Sequence, residues 1–143
     1  VYPRHLPHIY EMLKKVPGLR AVIDHLAKPE IRIQEISSWF SWMQKISELP
    51  NVWCKLSGMV TEADHKDWMQ LDFEPYIHCI VNSFGSGRLM YGSDWPVCLQ
   101  AATYTQVYNL LINCLEKLPE KLNDTEREAI FGGNAAKFYK LNL

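Results

Sequence analysis

The sequence has 143 residues, 48% of them hydrophobic and 22% charged, and a formal net charge of -1. That balance fits an ordinary globular chain long enough for one core, and it excludes a polyanion binder acting through bulk positive charge. The apolar runs are far too short to span a bilayer, so neither nucleic acid nor membrane is expected as a partner.

In chain order, the first element is a helix over about residues 4–15, with Leu6, Ile9, Tyr10 and Leu13 on one face and Pro17-Gly18 as its stop. Arg20-Ala21-Val22-Ile23-Asp24 is a compact β-branched run and predicts a buried strand. Ile36, Trp39, Phe40, Met43, Ile46 and Leu49 keep helical spacing through roughly residues 33–49, until Pro50-Asn51 breaks it. Val52 to Ser57 predicts the next strand, and a polar loop then leads to a helix over about residues 72–84. Gly85-Ser86-Gly87 returns the chain to a third apolar strand, Arg88-Leu89-Met90-Tyr91. These glycines follow a helix and precede a strand, the wrong context for a dinucleotide loop. A long helix is expected over about residues 103–117. Thr125-Glu126-Arg127-Glu128 reads as a capping box opening a short helix, Gly132-Gly133 as its break, and Asn134 as the cap of a last turn.

Strands beginning near residues 20, 52 and 88 are spaced as successive βα units with right-handed crossovers. The fold class expected is therefore α/β with parallel strands, and with no linker in sight residues 1–143 are taken as a single domain. Three parallel strands make a poor free-standing sheet, because both edges and faces need cover. A closed (β/α)8 barrel takes about 250 residues, of which this chain would supply the share of three units. A small doubly wound sheet is the alternative.

Chemistry is expected where strands leave the sheet at their C-terminal ends. The third strand runs out at Gly92-Ser93 and delivers Asp94, a candidate base or metal ligand, before Trp95-Pro96 turns the chain away. An Asp in that position also caps following segments, so the spacing alone leaves both roles open. Cys54, Cys79, Cys98 and Cys114 form no C-x-x-C pair, which points to buried, reduced thiols in a cytoplasmic setting rather than a zinc ribbon. The chain begins at Val1 without a charged-then-apolar leader, as expected of a processed product or a fragment.

Three motifs in order, Val22-Ile23-Asp24-His25-Leu26-Ala27-Lys28-Pro29, Asn51-Val52-Trp53-Cys54-Lys55-Leu56-Ser57-Gly58-Met59-Val60-Thr61-Glu62-Ala63 and Tyr91-Gly92-Ser93-Asp94-Trp95-Pro96, resemble the amidohydrolase-related family, in its sugar-lactone hydrolase branch. The tail from Ile130 to Tyr139 resembles that family's closing helix. The resemblance implies a (β/α)8 barrel of which this chain is the C-terminal part, carrying strands six to eight. It implies hydrolysis of a sugar-acid lactone, with Asp94 as acid/base and His25 as carbonyl-polarising group; His25 and Asp94 are also the candidate ligands of one divalent metal such as zinc. Lys28, Lys55, Ser57, Glu62 and Trp95 are the candidate substrate contacts. Asp24 is expected to be structural, since strand alternation sends it away from His25. The family's first-strand His-x-His pair has no counterpart among His5, His8, His25, His65 and His78. The chain is thus expected to need the N-terminal barrel strands and to be inactive alone, with a decarboxylating lyase and a non-catalytic isoform as the rival readings.

Overall fold

The computed structural model describes residues 1–142. Its centre is a three-stranded sheet in the order β1 (Ala21–Ile23), β2 (Val52–Leu56), β3 (Leu89–Tyr91), with both pairings parallel. Between and around the strands run α1 (Leu6–Lys15), α2 (Ser37–Ser47), α3 (Glu74–Phe84), α4 (Tyr104–Glu116), α5 (Asp124–Glu128) and α6 (Asn134–Tyr139). The expected helices at 33–49 and 72–84 begin later than their apolar spacing suggests. Their first residues instead form separate tight turns, Ile31–Ile33 and Gln70–Asp72.

Strand alternation divides the sheet into two faces. Val52, Cys54 and Leu56 are essentially inaccessible and belong to one apolar core with Trp39, Met43 and Ile46 of α2 and Ile77, Ile80 and Phe84 of α3. Trp53 and Lys55 project from the other face, which the βα helices leave uncovered. The bottom of the sheet is tied by Arg88, whose guanidinium donates to the carbonyls of Ser47, Leu49 and Val52. That one side chain joins the end of α2 to the entry of β2, using carbonyls a helix end leaves unpaired.

The C-terminal segment departs from expectation in three ways. The capping box opening α5 is Asn123 with Glu126, two residues earlier than the Thr125–Glu128 pair: Glu126 N donates to Asn123 Oδ1 at 3.0 Å and Asn123 N to Glu126 Oε2 at 2.9 Å. Asn is the stronger cap of the two, and Thr125 is left inside the helix. Gly132-Gly133 does not break the helix, because residues Ala129–Gly133 form a π-helical turn that carries α5 into α6. Asn134 accordingly has helical backbone and caps nothing. Its buried amide donates to the carbonyls of Ser86 and Leu89, each at 2.7 Å, pinning the segment beside β3.

From there α6 crosses onto the uncovered face: the Phe138 ring packs on Trp53 at 5.6 Å, and the Arg20 guanidinium sits 4.6 Å from the Phe138 ring. Asn134→Ala leaves two buried carbonyls without donors and is expected to cost about 2 kcal/mol, read as a lower urea midpoint with unchanged slope. Of the four cysteines, all free, Cys54, Cys98 and Cys114 are buried as expected and Cys79 is only half-buried. Among the described residues no helix is long and apolar enough to cross a membrane.

Candidate active site

The C-terminal ends of the three strands open on a cavity of about 410 Å³ lined by Asp24, His25, Lys55, Ser57, Gly92, Asp94 and, from α6, Tyr139. Each side chain reaches it by a local device. After Ile23 the backbone enters the left-handed region for four consecutive residues, with φ of 52° at His25, 51° at Leu26, 58° at Ala27 and 52° at Lys28. None is glycine, and each costs about 1–2 kcal/mol in that conformation. The turn is held because Leu26 and Ala27 are buried and the Trp39 indole donates to the Leu26 carbonyl at 2.7 Å. Without this turn, alternation would send His25 to the helix side of the sheet; with it, the imidazole comes back over the strand ends.

On β3, Gly92 N still donates to Leu56 O at 3.2 Å, so the ladder persists one residue past Tyr91. The backbone then leaves the sheet, and Asp94 takes φ of 56°, a conformation Asp tolerates better than most residues. The results converge: His25 Nε2 lies 3.7 Å from Asp94 Oδ1, with side-chain exposures of 24% and 15%. Ser57 Oγ sits 2.8 Å from His25 Nδ1 and fixes the ring plane. If the Ser57 hydroxyl donates to Nδ1, Nε2 carries its hydrogen toward the cavity.

Asp24 corrects the sequence reading. It stands one step beyond the Ile23–Cys54 pair, hence in phase with Lys55 on the cavity face. Its carboxylate lies 3.4 Å from His25 Nε2 through Oδ2 and 3.3 Å from Lys55 Nζ through Oδ1. Alternation does not separate the two because His25, not Asp24, is the residue turned out of strand geometry. Burial alone would lower the Lys55 pKa, but the Asp24 carboxylate and the Tyr139 hydroxyl outweigh it and hold the ammonium above the usual lysine value.

Of the other candidate contacts, Lys55 and Ser57 line the cavity. Lys28 and Glu62 do not; they pair with each other and line a separate depression with Arg4 and Trp42. Trp95 is 64% exposed and stands apart from the cavity. Tyr139 went unrecognised in the sequence, since nothing in a closing helix signals that it will fold back over the sheet.

Among the described residues no group of three or more His, Cys, Asp or Glu side chains is placed to hold a metal ion. A catalytic zinc site takes three protein ligands, so His25 and Asp94 amount to a partial donor set.

An amidohydrolase family model matches residues 1–141. The L-fucono-1,5-lactonase of Burkholderia ambifaria is 40% identical over 143 residues, covering 99% of this chain and 49% of that protein. The L-fucono-1,5-lactonase of Burkholderia multivorans is 35% identical over 150 residues, covering 99% and 50%. A crystal structure of a Burkholderia multivorans amidohydrolase with bound zinc superposes with a TM-score of 0.92 at 36% identity, covering 99% of this chain and 51% of that one. The chain spans about half the length of these relatives, and its open parallel sheet with helices corresponds to about half of their barrel.

Proposed function

This chain belongs to the amidohydrolase family, and from that premise we propose that it is the C-terminal part of a hydrolase that opens a sugar-acid lactone. The observation that carries the reading is the meeting of His25 Nε2 and Asp94 Oδ1 at 3.7 Å inside one cavity at the strand ends. The similarity to fuconolactonases supports the substrate class.

The chemistry follows from those two groups. The Asp94 carboxylate takes a proton from water as the water oxygen bonds to the lactone carbonyl carbon. The carbonyl oxygen becomes an oxyanion, and the Nε2 hydrogen of His25, aimed by Ser57, stabilises it. Collapse breaks the ring C–O bond, and Asp94 returns the proton to the leaving alkoxide, releasing the open hydroxy acid. Were zinc bound in the complete protein, it would polarise the carbonyl or acidify water. His25 and Asp94 would be this chain's ligands, and the rest would come from outside residues 1–142.

A sheet with free strand edges and an incomplete donor set is not a working site, so residues 1–143 alone are proposed to be inert. The test is to offer the full-length protein and residues 1–143 a sugar lactone and an aromatic carboxylic acid. Acid release from the lactone by the full-length protein only is the expected result. Carbon dioxide release without lactone opening would make the protein a lyase and overturn the reading.

A further inference from the structure

Asp24 has no task in the mechanism above, yet it stands closer to His25 Nε2 than Asp94 does, at 3.4 Å against 3.7 Å. Its Oδ1 is buried and lies 3.3 Å from Lys55 Nζ, an ion pair that fixes the orientation of the carboxylate. With Oδ1 buried, Oδ2, beside His25 Nε2, is the carboxylate oxygen that a ligand hydroxyl can reach. The side chain as a whole is 46% accessible and Lys55 30%, so both reach the cavity space. Tyr139 closes the far side, its ring centroid 5.8 Å from Lys55 Nζ.

A carboxylate accepts hydroxyl hydrogens, while an ammonium and a phenol donate to hydroxyl oxygens. Side by side, they make a surface for adjacent hydroxyls. The position of Asp24 selects which ones. When Nε2 of His25 holds a carbonyl oxygen, the carboxylate beside it meets the substituent on the neighbouring carbon.

We infer that Asp24 is a specificity residue that accepts a hydrogen bond from the hydroxyl on the carbon next to the lactone carbonyl, with Lys55 and Tyr139 holding the hydroxyl beyond it. This rests on the lactonase reading for the placement of the carbonyl. It names the substrate class more narrowly, as 2-hydroxy lactones. A site built to hydrogen-bond a substrate hydroxyl discriminates strongly against the analogue that lacks it.

The experiment compares L-fucono-1,5-lactone with its 2-deoxy counterpart in the full-length protein and in Asp24→Asn, and measures calorimetric binding of the two open acids alongside. The substitution is isosteric and half-accessible, so folding is preserved, as a thermal melt will show. The wild type is expected to favour the 2-hydroxy lactone by about a hundredfold in kcat/KM, the upper end of what one hydrogen bond to a charged group contributes. Asp24→Asn should shrink that ratio to a few-fold by raising KM for the hydroxylated lactone alone, and should weaken binding of the 2-hydroxy acid alone. Equal loss on both compounds, or an unchanged ratio, overturns the inference while leaving the lactonase reading intact. If neither lactone opens but the 2-hydroxy acid binds through Asp24, the lactonase reading falls and the hydroxyl contact stands. If neither compound is opened or bound, both fall.

Discussion

Asp94→Asn in the full-length protein is expected to lower kcat for lactone opening by about a thousandfold while moving KM only a few-fold, within the range that a positioned general base contributes. The substitution isolates one property. Asn has the same shape and tolerates the left-handed backbone of φ 56° at this position at least as well as Asp, so the loop is not strained by it. His25 keeps its plane because Ser57, not Asp94, holds Nδ1 at 2.8 Å. What is lost is an oxygen able to take a proton from water and return it to the alkoxide. Initial rates of acid release, with a thermal melt to confirm folding, measure the effect. Near-normal turnover would remove Asp94 as the base and leave the 3.7 Å meeting with His25 as a structural contact.

The parts of the fold that depend on repeating chemistry were readable. Apolar runs at 20, 52 and 88 became the three parallel strands, and the strand-end motifs brought His25, Ser57 and Asp94 together. The parts that depend on a single backbone choice were not. Alternation assigns Asp24 and His25 to opposite faces for as long as the chain is a strand; four left-handed residues cancel that rule, and no composition signal announces them because none is glycine. The side of the sheet that α6 covers is set by Asn134 reaching the carbonyls of Ser86 and Leu89, a contact 45 residues or more away in sequence. Lys28 and Glu62 follow strands, as site residues do, yet each extends along the outer loops toward the other and they form an ion pair.

The second large effect lies in a residue with no side chain. Gly58 has φ of 58°, and a Cβ built there would lie 2.7 Å from Cγ and Nδ1 of His25. The imidazole therefore rests against the bare backbone of the residue after Ser57, its hydrogen-bond partner. Gly58→Ala adds two separate penalties. Left-handed alanine costs about 1–2 kcal/mol of stability. The methyl also occupies space the ring now fills, so His25 must rotate away from Ser57 and lose the alignment of Nε2 that the proposed mechanism uses. A displacement of about 1 Å at a reacting centre is worth about a hundredfold in rate. The expected result is a kcat/KM lowered about a hundredfold, with a modest fall in melting temperature. Gly18→Ala, where an added methyl meets nothing within 4 Å, is the control and should leave both unchanged. Because the rate loss exceeds what the stability loss can cause in a protein that stays folded at the assay temperature, the two penalties separate cleanly. A Gly58→Ala protein that melts lower but turns over normally would show that the ring's position is immaterial, and with it that His25 does not touch the reacting carbonyl.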